Sequence, residues 1–283
     1  MRRLVLALGA ATLLAHAVPL AGQETLPDPV PEPALRALLT ADAASPWEAV
    51  GRLDSGVSFC TATLIAPDLV LTAAHCLFDA EGRRLPDSAL TFSASLRLGR
   101  AEAVRGVARA HLPEGYEHPP LGRAEFSAVA QDVALLELDL AIPAAQVAPM
   151  PASRSAAGAG PVTLVSYGAE RAAFPSIEEE CRVLSRAEAV QILSCRAVEG
   201  SSGAPVMRMG PSGPEIVAVV SGLTRIYGTE ATVAVATAGL LAELEAARAA
   251  AGAGVMSRTP AGIRTLGGAD TGRDSIGARF LRP

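Results

Sequence analysis

From Trp47 onward, turn residues cut the chain into short apolar runs, and this rhythm limits the possible folds more than any other feature. Thr61 to Ile65 and Leu69 to Thr72 flank Ala66-Pro67-Asp68, which has proline at the favoured place of a turn. Thr91 to Leu98 alternates with period two, as a half-buried strand does, and Val133 to Leu138 is mostly apolar. A second set of strands is predicted at Val162 to Tyr167, Arg182 to Leu184, Gln191 to Ser194, Glu215 to Ser221 and Thr229 to Ala236. Between the sets, Pro151 to Gly160 is rich in Ala, Ser and Gly and reads as a linker between two halves. Short strands with frequent turns argue for an all-β sandwich or barrel. Two stretches depart from this pattern. Ala34 to Ala43 reads as a short helix, and Ala238 to Ala250 as a longer one, with Leu240, Leu241 and Leu244 at helical spacing.

The two ends read differently from the middle. Arg2 and Arg3, the apolar run Leu4 to Leu14, and small residues at Ala15-His16-Ala17 and near Ala21-Gly22 have the layout of a cleaved secretory signal. The run is shorter than the ~20 residues of a spanning helix, so no stable membrane anchor is expected. Pro27 to Pro33 forms a proline-rich spacer, and residues 251–283, rich in Gly and Arg, read as a flexible tail. An exported chain meets an oxidising compartment, so its four cysteines imply two disulfides, for which three pairings are possible. No close Cys/His spacing supports a metal site, and no cofactor is expected. The formal net charge of −5 gives no reason to expect nucleic acid as a partner. Lysine and asparagine are absent, which reads as the codon bias of a GC-rich bacterial genome. The expected location is the periplasm or the extracellular space, and the expected state is a monomer.

The stretch that carries chemistry is Glu199-Gly200-Ser201-Ser202-Gly203-Ala204-Pro205. A nucleophilic serine needs its hydroxyl at a tight turn, with backbone N–H groups free to face a carbonyl, and glycines permit both. Such a run is common in ordinary loops. It gains meaning from Leu71-Thr72-Ala73-Ala74-His75-Cys76 and Gln131-Asp132-Val133-Ala134-Leu135-Leu136 upstream. A serine hydroxyl requires a base, and the base requires a group that orients it. His75 is the candidate base. His16 lies in the signal, and His111 and His118 are expected to be solvated in a Pro-rich loop.

His75, Asp132 and Ser202, in that order and in those stretches, resemble the chymotrypsin/trypsin-like serine proteases over about Pro46 to Arg248. The resemblance implies two six-stranded antiparallel β-barrels with a C-terminal helix and an active site in the cleft between them. On that model, residues 1–22 are signal peptide and 23–45 an N-terminal segment. Residues 46–250 are the protease domain, with barrels at 46–150 and 161–236 and a helix at 237–250. It further implies Ser202 as nucleophile, His75 as general base, Asp132 as its orienting carboxylate, and an oxyanion hole from the N–H groups of Gly200 and Ser202. Ser221 is similar to the family serine that supports the aspartate and lines the substrate groove. Cys60 would pair with Cys76, leaving Cys181 with Cys195. The substrate is then a protein or peptide.

The chain departs from the family's Gly-Asp-Ser-Gly-Gly-Pro at Ser201 and Ala204. Ser201 carries no charge to pair with a newly cut N-terminus, so activity without such a cut is expected. Arg196 falls where members that favour basic residues carry an aspartate, so cleavage after Lys or Arg is expected to be poor and acidic P1 residues become candidates. Two other readings compete. One is a catalytically silent homologue acting as a secreted binding module. The other is an α/β-hydrolase esterase, which the order of the three residues and the lack of alternating helices oppose.

Overall fold

The computed structural model describes residues 35–118, 129–154, 158, 160–226 and 228–256. The stretches expected to be signal peptide, proline-rich spacer and, beyond residue 256, flexible tail lie outside the described residues. The chain enters through β1 (Arg36–Ala37) and a one-turn helix α1 (Ala41–Ala44), whose first turn is capped by the Thr40 hydroxyl. Six strands follow: β2 (Val50–Asp54), β3 (Phe59–Ala66), β4 (Leu69–Thr72), β5 (Thr91–Ala94), β6 (Ala103–His111) and β7 (Ala134–Leu138). They close into a barrel in the order β2-β3-β4-β7-β6-β5. Leu53, Leu64, Val70, Phe92 and Leu136 share one of its faces by register, and all are buried.

The second half contains β8 (Val162–Ser166), β9 (Ser176–Cys181), β10 (Val183–Ala187), β11 (Val190–Leu193), β12 (Pro205–Gly210), β13 (Gly213–Ile226) and β14 (Thr229–Ala236). These form one sheet in the order β1-β9-β8-β12-β13-β14-β11-β10. The run from β9 to β11 curls so that its two ends meet. The Cys181–Cys195 disulfide joins them, and Ser194 N donates to Arg182 O at 2.9 Å beside it. The sheet wraps its own apolar cluster, with Val162, Leu164, Leu193, Val206, Val217 and Val220 inside. A closed barrel, a second curled sheet and few helices fit the two-barrel all-β expectation, with β1 and β10 added at the margins. The second disulfide joins Cys60 and Cys76, so both expected pairings form.

The final helix α2 (Ala238–Met256) runs past the predicted end at residue 250. It buries Leu241 and Leu244, and Arg248 pairs with Asp68 in the β3–β4 turn at 2.7 Å.

Several local expectations give way to tertiary context. Arg36–Ala37 is a strand, not the start of a helix, because its backbone pairs with Ser176 and Ile177 at the edge of β9. Leu38 follows with its side chain fully buried. The strand predicted over Thr91 to Leu98 stops at Ala94. Ser95 and Leu98 both take positive φ of 50°, and Arg97 bridges Arg100 across a tight turn. His111 is not a solvated loop residue. It ends β6, is buried, and bonds Glu137 through Nε2 at 2.6 Å. His118 is half-buried and stacks on Phe78 with ring centroids 4.8 Å apart.

Candidate active site

The register of the first barrel brings His75 and Asp132 together. Thr72 at the end of β4 pairs with Ala134 at the start of β7. In an antiparallel pair, residues just past one strand's end lie beside those just before its partner's start. His75 therefore emerges from a short 3₁₀ turn (Ala74–Leu77) next to Asp132. The contact is double. His75 N donates to Asp132 Oδ1 at 2.8 Å, and His75 Nδ1 lies 2.7 Å from Oδ2. A carboxylate can only accept, so Nδ1 carries a hydrogen, and in the neutral ring Nε2 then keeps its lone pair.

Further donors hold the carboxylate. Ser221 Oγ donates to Oδ2 at 2.5 Å and Tyr116 OH to Oδ1 at 3.3 Å. Ser221 reaches it because the β13–β14 register shifts between Val220 and Gly222, a bulge that takes Ser221 out of the ladder. Burial works to raise the Asp132 pKa, but the His75 charge and the hydrogen bonds from His75 and Ser221 outweigh it, so the pKa is lowered. For His75, burial works to lower the pKa, and attraction and hydrogen bonding to Asp132 prevail, leaving it above the ordinary value.

The Ser202 turn is fastened to the first barrel. Thr61 N donates to Ser202 O at 2.8 Å, and Thr61 Oγ1 donates to Gly200 O at 2.9 Å. Gly203 N donates to Val220 O at 2.7 Å, beside Ser221. Gly203 sits at φ +80°, where a Cβ would fall 2.1 Å from Thr61 O and 2.2 Å from Thr72 Oγ1. Only glycine lets the turn come this close to Thr72-Ala73, the stretch leading into His75. Gly200, at φ +90°, is equally constrained, since a Cβ there would strike the Phe59 ring at 2.4 Å. The half-buried Ser202 thus stands on the same edge as His75 and Asp132. Among the described residues no hydrogen bond links the Ser202 hydroxyl to His75, and catalytic hydrogen bonds are often long without substrate.

Around this turn the N–H groups alternate in use. Ser201 N donates to Val198 O and Gly203 N to Val220 O. Among the described residues, those of Gly200 and Ser202 donate to no protein acceptor. Ser201 is wholly buried, and its Oγ donates toward Tyr167 O at 3.0 Å. Arg196 is exposed, and its backbone N–H donates to the buried Glu178 at 2.6 Å. Among the described residues, two Cys/His/Glu groupings have ligand atoms within 4.8 Å of one another, Cys60-His75-Cys76 and Glu178-Cys181-Cys195. Both contain a disulfide, whose sulfurs are not thiolates, so neither has the donor set of a metal site.

Sequence reasoning missed Thr61, Tyr116 and Glu178 as partners of this site. Thr61 adjoins Cys60 in the stretch that resembles the family, but nothing in its type announces the role.

A family model described as trypsin-like peptidase domain matches residues 60–210, and the chain belongs to that family. The match supports a peptidase. No curated protein sequence matches the chain. Among solved structures, a Glu endopeptidase is similar with a TM-score of 0.63 and 18% identity, covering 78% of this chain and 99% of that one. A thermostable serine protease, AL20, from an extremophilic microorganism is similar with a TM-score of 0.56 and 17% identity over 71% of this chain and 96% of that one.

Proposed function

We propose that this peptidase is an exported serine endopeptidase acting through an acyl-enzyme on Ser202. The observation that carries the reading is the His75–Asp132 pair, bonded at two points and oriented so that Nε2 faces away from the carboxylate with its lone pair. His75 takes the Ser202 proton as Oγ attacks the scissile carbonyl, and Asp132 stabilises the imidazolium. The free N–H groups of Gly200 and Ser202 receive the developing oxyanion. His75 then protonates the leaving amine, and a water activated by the same histidine hydrolyses the ester.

Arg196 bears on specificity. It is exposed and forms no ion pair among the described residues, so it is open to a P1 carboxylate and opposes a basic P1 side chain. One similar structure is itself called a Glu endopeptidase, which agrees with an acidic P1 residue. Two disulfides fit export into an oxidising compartment. No described helix is long and apolar enough to cross a membrane.

The test is labelling of the purified, signal-free protein with a fluorophosphonate probe. Wild-type protein is expected to label, and a peptide library is expected to show little cleavage after Lys or Arg. A folded protein that takes no label even after limited proteolysis near Trp47 would instead be the silent binding module. The pH profile gives a second check. His75 must be neutral to act as base, and its raised pKa places the acid limb of kcat/KM above the ordinary histidine value. Activity is expected to fall as pH drops through that limb. A limb below the usual histidine range would contradict the pairing.

A further inference from the structure

Arg171 has no role in the chemistry just described, yet it is 8% exposed in the second half of the protein. Burying a guanidinium costs several kcal/mol unless donors and charges are matched. Here they are. Nη1 donates to Ser166 O at 2.5 Å and Nη2 to Ser166 Oγ at 3.0 Å. Burial works to lower the Arg171 pKa, and attraction to Glu178 and Glu170 opposes it.

Ser166 in turn meets the nucleophile turn. Its Oγ lies 3.3 Å from Ser201 Oγ, which also donates toward Tyr167 O and accepts from Val198 N at 3.2 Å. The two loops are locked at a second place, where Ala169 N donates to Glu199 O at 2.8 Å. Gly168 lies between them. A Cβ there would fall 2.5 Å from Val198 Cγ2 and 3.1 Å from Arg171 Cζ, so the guanidinium fills the space that a side chain at 168 would need. Glu178 braces the other end of the same loop by accepting from Arg196 N. Buried charges of opposite sign thus hold both ends of the Arg196–Ser202 segment.

We infer that Arg171 is a positioning residue: acting through Ser166 and Ser201, it fixes the Gly200–Ser202 turn in the form that leaves both N–H groups free for the oxyanion. The inference rests on the proposed mechanism. It makes the turn's geometry a property of an internal cation, present whenever the chain is folded. Removing the guanidinium strips donors from the Ser166 carbonyl and hydroxyl and takes away the cation that offsets Glu178. The turn then relaxes at the point where precision matters to the transition state and not to substrate binding.

The test uses the full secreted chain and steady-state hydrolysis of a peptide ester, beginning with wild-type protein. Arg171→Met is expected to lower kcat by about tenfold to a hundredfold and to leave KM within about twofold, on the scale of a displaced oxyanion donor. Arg171→Lys is expected to recover part of the loss. Adding Ser201→Ala to Arg171→Met is expected to cost little more, because the two act in one chain of contacts. Should Arg171→Met not fold, Ser166→Ala decides, since it keeps the guanidinium and removes one link. A severalfold fall in kcat supports the inference, and an unchanged kcat overturns it. Active wild-type protein with a folded Arg171→Met of normal kcat overturns the inference alone. Inactive, unlabelled wild-type protein overturns the proposed mechanism, and the inference with it.

Discussion

Ser202→Ala is expected to lower kcat by about 10⁶, with His75→Ala costing a similar factor and the double variant little more. The three measurements belong together because in the proposed mechanism serine and histidine act as one unit: a base with no hydroxyl to deprotonate contributes no more than a hydroxyl with no base. The protein should remain folded, because the turn is held by the Ser202 carbonyl, which accepts from Thr61 N, and not by the side chain. Loss of a hydroxyl that bonds no other described residue should change stability by no more than about 0.5 kcal/mol. Denaturation curves and kcat measured on the same preparations would check both halves. A folded Ser202→Ala protein retaining more than about a hundredth of wild-type kcat would remove Ser202 from the mechanism.

Asp132→Asn is expected to lower kcat by about 10⁴ through the histidine tautomer. In the wild-type site every neighbour of the carboxylate is a donor: His75 N, His75 Nδ1, Ser221 Oγ and Tyr116 OH. An asparagine offers one oxygen and one NH₂ to this ring. If the NH₂ faces His75 Nδ1, the ring hydrogen must move to Nε2, and the lone pair that would take the serine proton is gone. If the oxygen faces Nδ1, the NH₂ opposes the His75 N–H or the Tyr116 hydroxyl. The shape is conserved, so the loss reports proton placement and not packing. A fall of less than about tenfold would mean that orientation of His75 does not depend on the carboxylate.

The architecture was readable where side-chain pattern and backbone partner agree. The strand predicted over Thr229 to Ala236 forms over those residues as β14, and Val133 to Leu138 differs from β7 by one residue. β6 was hidden because only Ala103, Val107 and His111 are buried along Ala103–His111, with arginines and Gly106 between. Such spacing shows no period-two signal. Arg36–Ala37 could not be read as a strand because its reason lies in the edge of β9, far along the chain. Within the candidate site, the stretches holding His75 and Asp132, which the fold pairs, could be singled out because they are distinctive. Their supports could not. Arg171 looks like any solvated arginine after a glutamate, and its burial follows only from the meeting of two loops.

Thr61 has a consequence for how the two halves move. Its amide serves Ser202, its hydroxyl donates to Gly200 O, and the same hydroxyl accepts from Tyr167 N at 3.0 Å. One residue of β3 is therefore stitched to both the nucleophile turn and the end of β8. A hinge motion that widened the space between His75 and Ser202 would have to break these bonds together, inside the protein and away from water that could replace them. The halves are coupled like parts of one rigid jaw, so on the proposed mechanism substrate is selected by contacts already in place, not by opening and closing.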